Sequence, residues 1–180
     1  MRRNDCVDPA WVARDPGLAG VIVSPGPMSP SEAGASVEIV LAAGRRGLPV
    51  LGICLGHQCI GAAFGASVAR HPTPIHGKTT PVELSPDPLF EGLPTTIEAA
   101  RYHSLHVVDS GLDACGLRVV ARAVGDGTVM AVRHRSLPVI GVQFHPESIL
   151  TGDAGRRILA NFAASCGLAA SRAEALAAAP

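Results

Sequence analysis

Leu48-Pro49-Val50-Leu51-Gly52-Ile53-Cys54-Leu55-Gly56-His57-Gln58 is an apolar run that ends in Gly-x-Cys-x-Gly and passes into helix-compatible sequence. Such a junction reads as a nucleophile elbow, in which glycines permit a sharp turn that holds one side chain out at the top of a sheet. A cysteine in apolar surroundings is ordinarily an inert core residue, and that is the reading for Cys59, Cys115 and Cys166. Cys54 differs because Gly52 and Gly56 flank it at two-residue offsets and because it opens a helix. A helix N-terminus favours negative charge. The backbone N–H of Leu55 becomes an oxyanion donor in the same turn.

A nucleophilic thiol needs a base, and the base needs an orienting partner. About ninety residues downstream, the apolar run Val139-Ile140-Gly141-Val142-Gln143-Phe144 ends in His145-Pro146-Glu147. Residues two apart in extended chain point the same way, so Glu147 can bond one imidazole nitrogen of His145 while the other faces a thiol. A histidine at a strand end is more often structural. The pair also fits two metal ligands, but no third ligand stands nearby in sequence. Upstream, Ser24-Pro25-Gly26-Pro27 comes directly after the run Gly20–Val23. It is either a plain turn or the source of a second oxyanion donor, the N–H of Gly26, and spacing alone leaves both open.

The order of elements is set by the same stretches. Gly20–Ser24 is a short buried parallel strand, and a helix capped by Ser29 or Ser31 runs to about Arg46, with Gly47 as its stop. Val50–Cys54 is a second strand and Gly56–Phe64 a second helix. Strand-helix-strand-helix marks an open, mainly parallel α/β sheet with helices on both faces, of the flavodoxin-like kind. From Ser67 to Val108 the runs are shorter and more polar, broken by Pro72, Pro74, Pro86, Pro88 and Pro94. Leu117–Ala123 and Val129–His134 flank Gly125-Asp126-Gly127 as a hairpin, so antiparallel strands join the C-terminal half. A last helix spans Asp153–Cys166. The expected division is one domain over residues 1–168 and an Ala-rich tail over 169–180.

The 180 residues suffice for one substantial core, and 47% hydrophobic against 17% charged content argues against disorder except at the ends. A formal net charge of zero argues against nucleic acid or an acidic membrane surface as partner. No apolar stretch has membrane-spanning length, and Met1–Asp5 lacks the apolar segment of a signal peptide, so a cytoplasmic protein is expected. Five cysteines at irregular spacing, without a C-x-x-C pair, give neither a disulfide framework nor a zinc site.

Taken together, Gly52–Gln58, Phe144-His145-Pro146-Glu147-Ser148 and Ser24–Pro27 resemble the class I, triad-type glutamine amidotransferases. Arg101-Tyr102-His103-Ser104-Leu105 and His76-Gly77-Lys78-Thr79 are similar to the small subunits of anthranilate synthase and aminodeoxychorismate synthase. The resemblance covers nearly the whole chain. It implies a glutaminase in which Cys54 is the nucleophile, His145 the base and Glu147 its orienting partner. Gly26 and Leu55 would hold the oxyanion, while Gln58, Ser104 and Leu105 would hold L-glutamine. No metal or organic cofactor is implied. The implied partner is a chorismate-binding synthase subunit, in a heterodimer or heterotetramer, with His76–Thr80 and Tyr102-His103 facing it.

Two departures accompany the resemblance. Members of the family open with a strand, an Asn-Tyr-Asp-Ser-Phe-Thr-like segment, a helix and a second strand. Here Met1–Asp5 resembles the segment just after that second strand, and an N-terminal truncation is expected. Met28 stands where a glycine is usual, at a position expected to strain a side chain if φ is positive. The alternatives are another triad-type amidotransferase, such as the glutaminase part of GMP synthase or carbamoyl-phosphate synthetase, and a catalytically impaired subunit that only binds its partner.

Overall fold

A computed structural model describes residues 1–168, so the Ala-rich tail lies outside the described residues. Seven strands form a single sheet in the order β1-β2-β7-β6-β5-β3-β4. These are β1 Val21–Val23, β2 Val50–Ile53, β3 Val68–Leu84, β4 Thr96–Val107, β5 Leu117–Ala123, β6 Val129–His134 and β7 Val139–Val142. The helices are α1 Pro9–Arg14, α2 Ser36–Arg45, α3 Leu55–Ala63 and α4 Gly152–Ser165. Strands β1, β2 and β7 run parallel to one another. From β7 outward every pairing is antiparallel.

The inner parallel strands β2 and β7 are short and apolar because both their faces are covered, whereas edge strand β1 leaves Ile22 half exposed. Period-two alternation sends Val50 and Val139 into a core against Val12 of α1, Ile39, Val40 and Ala43 of α2, and Ile60 of α3. Leu51, Ile53, Ile140 and Val142 point the other way, against Ile158 and Phe162 of α4 and against Phe144. Helices thus lie on both faces of the sheet.

Three regions differ from expectation. The helix expected from Ser29 or Ser31 is split: a single 3-10 turn spans Pro30–Glu32, and α2 begins at Ser36. The broken stretch between Ser67 and Val108 holds the two longest strands, of 17 and 12 residues. Their register slips between Arg70 and Ile75, and Pro72 and Pro74 sit in that slip, where a missing N–H costs no ladder bond. Only Val82–Leu84 of β3 pair with β5, so most of the β3–β4 hairpin projects beyond the sheet. Most of β3 there is exposed, while β4 breaks its alternation with the consecutive buried residues Ala99, Ala100 and Arg101. Helix α1 was not expected; Asp8 caps it by accepting from the Ala10 N–H, and Arg46 donates to the Val12 and Asp15 carbonyls at its end.

Candidate active site

The ends of β2 and β7 are neighbours because the two strands pair in parallel, with Ile53 opposite Val142. Cys54 comes next in the chain, its N–H donating to the Val142 carbonyl at 2.9 Å. Its backbone is strained, with φ 51 and ψ −101, in a region that non-glycine residues seldom occupy. The strain therefore sits on the nucleophile candidate itself. The flanking glycines serve close approach instead. A Cβ on Gly52 would stand 2.4 Å from the Gly56 carbonyl oxygen, and one on Gly56 would stand 2.1 Å from that of Val23. Helix α3 can therefore leave the sheet immediately after Cys54, and the Gln58 N–H bonds the Cys54 carbonyl at 3.1 Å in its first turn.

His145 lies three residues past the end of β7, and its backbone is clamped twice. Its N–H donates to the Ala100 carbonyl of β4 at 3.0 Å, and its carbonyl accepts from Thr151 Oγ1 at 2.6 Å. On the side chain, Nδ1 lies 2.6 Å from Glu147 Oε1. Nε2 is buried and meets no hydrogen-bond partner at full geometry. Burial alone would lower the His145 pKa, but the bonds and charges of Cys54 and Glu147 outweigh it and raise the value to about 9. Cys54 and Glu147 thus both favour the protonated imidazole. The Tyr102 ring stands edge-on to the His145 ring, with centroids 5.1 Å apart.

A pocket of about 560 Å³ opens over Cys54 and is also lined by Gly26, Met28, Leu55, Gln58, Arg70, Tyr102, Ser104 and Leu105. Gly26 lies so near Leu55 that a Cβ there would stand 2.9 Å from Leu55 Cδ2. Met28 has φ 72, so the condition for strain at that position is met, and the residue is 65% exposed at the pocket lip. Gln58 is buried, and its Nε2 donates to the Leu105 carbonyl and to Gln143 Oε1, each at 3.1 Å. Ser104 Oγ bonds His76 Nε2 at 3.0 Å. The remaining cysteines differ in setting: Cys59 is fully buried, with its thiol pushed up to about 12, while Cys115 and Cys166 are half-buried beside the cores.

All eight sequence-predicted site residues except His145 and Glu147 line this one pocket, and those two adjoin it through Cys54 and Tyr102. One expectation fails: His103 is 3% exposed and cannot present its ring to a partner, whereas Tyr102 is 39% exposed. Sequence reading gave no site role to Arg101, Asp126 or Gln143, which bond behind the pocket wall. The signal for Gln143 was present, since a glutamine inside a buried apolar strand end must find a polar partner. Among the described residues, no cluster of three or more His, Cys, Asp or Glu could hold a metal ion, and no helix is long and apolar enough to cross a membrane.

The family model for glutamine amidotransferase class-I matches residues 5–166. Anthranilate synthase component 2 of Mycobacterium tuberculosis H37Rv is 53% identical over 148 residues, an alignment that covers 82% of this chain and 62% of that protein. The chain therefore spans less than two thirds of that relative's length. Aminodeoxychorismate/anthranilate synthase component 2 of Bacillus subtilis 168 is 46% identical over 143 residues, covering 79% of this chain and 71% of its own. Among solved structures, a putative GMP synthase subunit from Thermoplasma acidophilum matches with a TM-score of 0.74 at 29% identity, covering 96% of this chain and 81% of that one. With the elbow cysteine, the strand-end histidine and the shared pocket in place, the chain belongs to the class-I glutamine amidotransferase family.

Proposed function

We propose that this chain is the glutaminase subunit of a chorismate-using synthase, and that Cys54, His145 and Glu147 carry the chemistry. The Cys54 thiolate attacks the side-chain carbonyl carbon of glutamine, and the N–H groups of Leu55 and Gly26 receive the developing oxyanion. The tetrahedral adduct collapses as His145 gives its proton to the departing nitrogen, releasing ammonia and leaving a γ-glutamyl thioester on Cys54. His145, now neutral, takes a proton from water; the hydroxide adds to the thioester, glutamate leaves, and the thiolate beside a protonated His145 is restored. Glu147 holds the imidazole in orientation and stabilises its charge.

The observation that carries this reading is the strained Cys54 at the end of β2, beside a parallel β7 whose end delivers the His145–Glu147 pair. Gln58 and the Ser104-Leu105 segment line the same pocket and are the proposed holders of the glutamine backbone groups. The relatives named as anthranilate and aminodeoxychorismate synthase components support a chorismate-binding partner as the acceptor of ammonia. Tyr102 and the His76–Thr80 stretch of β3 are proposed to face it.

The test is covalent. The complex, incubated with a glutamine analogue bearing an electrophilic carbon at the amide position, should gain one adduct on the Cys54 peptide by mass spectrometry, and the Cys54→Ala complex should gain none. Labelling at another cysteine, or none in the active complex, contradicts the assignment.

A further inference from the structure

The backbone of Ser104 is poorly secured by its own sheet, and Leu105 is the last paired residue before the slip. The β3–β4 pairing passes from Arg70–Leu105 to Ile75–His103, so Ser104 has no strand partner in the slip. Side chains hold this segment instead. His103 Nδ1 lies 3.0 Å from the Leu105 carbonyl, which also accepts from Gln58. The other ring nitrogen, Nε2, lies 3.1 Å from Arg101 Nε. A guanidinium N–H only donates, so His103 Nε2 must present its lone pair and the ring proton must sit on Nδ1. That tautomer is the one able to donate to Leu105. Arg101 is fully buried and is itself held by Asp126, whose Oδ2 accepts from Nη1 at 2.9 Å, and by Thr128 Oγ1. Asp126 is fixed in turn by the Thr128 N–H at 2.9 Å.

We infer that Arg101 and Asp126 are positioning residues for the glutamine pocket: through the tautomer of His103 they fix the Ser104-Leu105 backbone against which the substrate binds. The inference rests on the glutaminase reading for its kinetic consequence, but its geometry does not. Burial, and then the Arg101 charge, depress the His103 pKa to about 3, so the ring stays neutral throughout the working range. Without the Arg101 donor the ring is free to carry its proton on Nε2, and the Nδ1 lone pair would then face the Leu105 carbonyl.

Two measurements test this separately. In long-range proton–nitrogen spectra of the nitrogen-15-labelled full chain, the histidine whose signals vanish in His103→Leu should be in the Nδ1–H tautomer and should not titrate between about pH 5 and 9; buried His57 also stays neutral over that range, so the loss in His103→Leu makes the assignment. In the synthase complex, His103→Leu should raise the KM for glutamine about tenfold, the scale of one lost buried hydrogen bond, with kcat within about twofold. His103→Asn, which returns a donor near the Nδ1 position, should recover most of the loss, and the milder Asp126→Asn should raise KM in the same direction. An Nε2–H tautomer, or a folded His103→Leu complex with unchanged KM, overturns the inference. A wild-type complex that shows the expected tautomer but does not hydrolyse glutamine would instead refute the glutaminase reading.

Discussion

Cys54 and His145 divide one strained arrangement between them. Cys54 holds φ 51 in the turn, and His145 holds a proton to about pH 9 against the cost of burial. The sign of that shift sets two pH dependences. Because the folded-state value lies above the ordinary imidazole value, protonated His145 stabilises the fold fully below about pH 6.5, and that contribution is lost as pH rises through about 9. In the proposed mechanism the same proton is given to departing ammonia, so kcat for glutamine hydrolysis should fall on an alkaline limb near pH 9. Glu147→Gln removes one of the charges that raise the value. A pH–rate profile of the mutant complex should show this limb displaced to lower pH; an unmoved limb would mean that Glu147 does not tune His145. These residues were legible because their chemistry is tied to local sequence: a cysteine between glycines at a strand end, and a histidine two residues before a carboxylate. The role of the glycines was not legible. Gly52 is required by the Gly56 carbonyl in the next helix and Gly56 by the Val23 carbonyl at the end of another strand, and only the packing of α3 on β1 and β2 reveals this.

Helix α4 serves His145 from behind at the scale of the element. Gly155 lies so close to the loop that a Cβ there would stand 2.1 Å from the Pro146 carbonyl oxygen and 3.1 Å from its Cα. Backbone cannot yield as a flexible side chain can, so Gly155→Ala must push α4 from the His145-Pro146-Glu147 turn. The expected cost is about 1–3 kcal/mol of stability by denaturant titration. Turnover should fall by more than about tenfold, because small displacements of a reacting group are costly. Wild-type turnover in a folded Gly155→Ala complex would show that the turn does not depend on α4. The helix itself was readable from its amphipathic pattern, and its ends lie within one residue of expectation. Strands β3 and β4 were readable only as fragments, since β3 is mostly exposed, β4 breaks its alternation at buried Ala99, Ala100 and Arg101, and the prolines fall in a register slip that sequence does not mark.

For the whole molecule, the parallel edge carries the proposed chemistry and the antiparallel half carries the pocket wall. The two are joined through β7, which pairs with β2 on one side and β6 on the other. An ion cluster ties the antiparallel half together: the Asp87 carboxylate is fully buried and is gripped by Arg133 Nη2 at 2.6 Å, by Arg118 Nη2 at 3.0 Å and by the Leu89 N–H at 3.0 Å. Removing one partner of a buried pair strands the others, so Asp87→Ala should cost about 3 kcal/mol in a denaturation experiment; a loss under about 1 kcal/mol would place the cluster among surface pairs of little worth. None of these three charged residues was marked by sequence pattern, because they converge from a connecting loop and two different strands. In the proposed reaction, Cys54 alone opens the route from glutamine to ammonia. The most direct measurement of that role is product formation by the Cys54→Ala subunit in complex with its chorismate-binding partner, supplied in turn with glutamine and with ammonia. Activity with glutamine should be abolished while activity with ammonia is kept; glutamine-dependent product at the wild-type rate would contradict the mechanism.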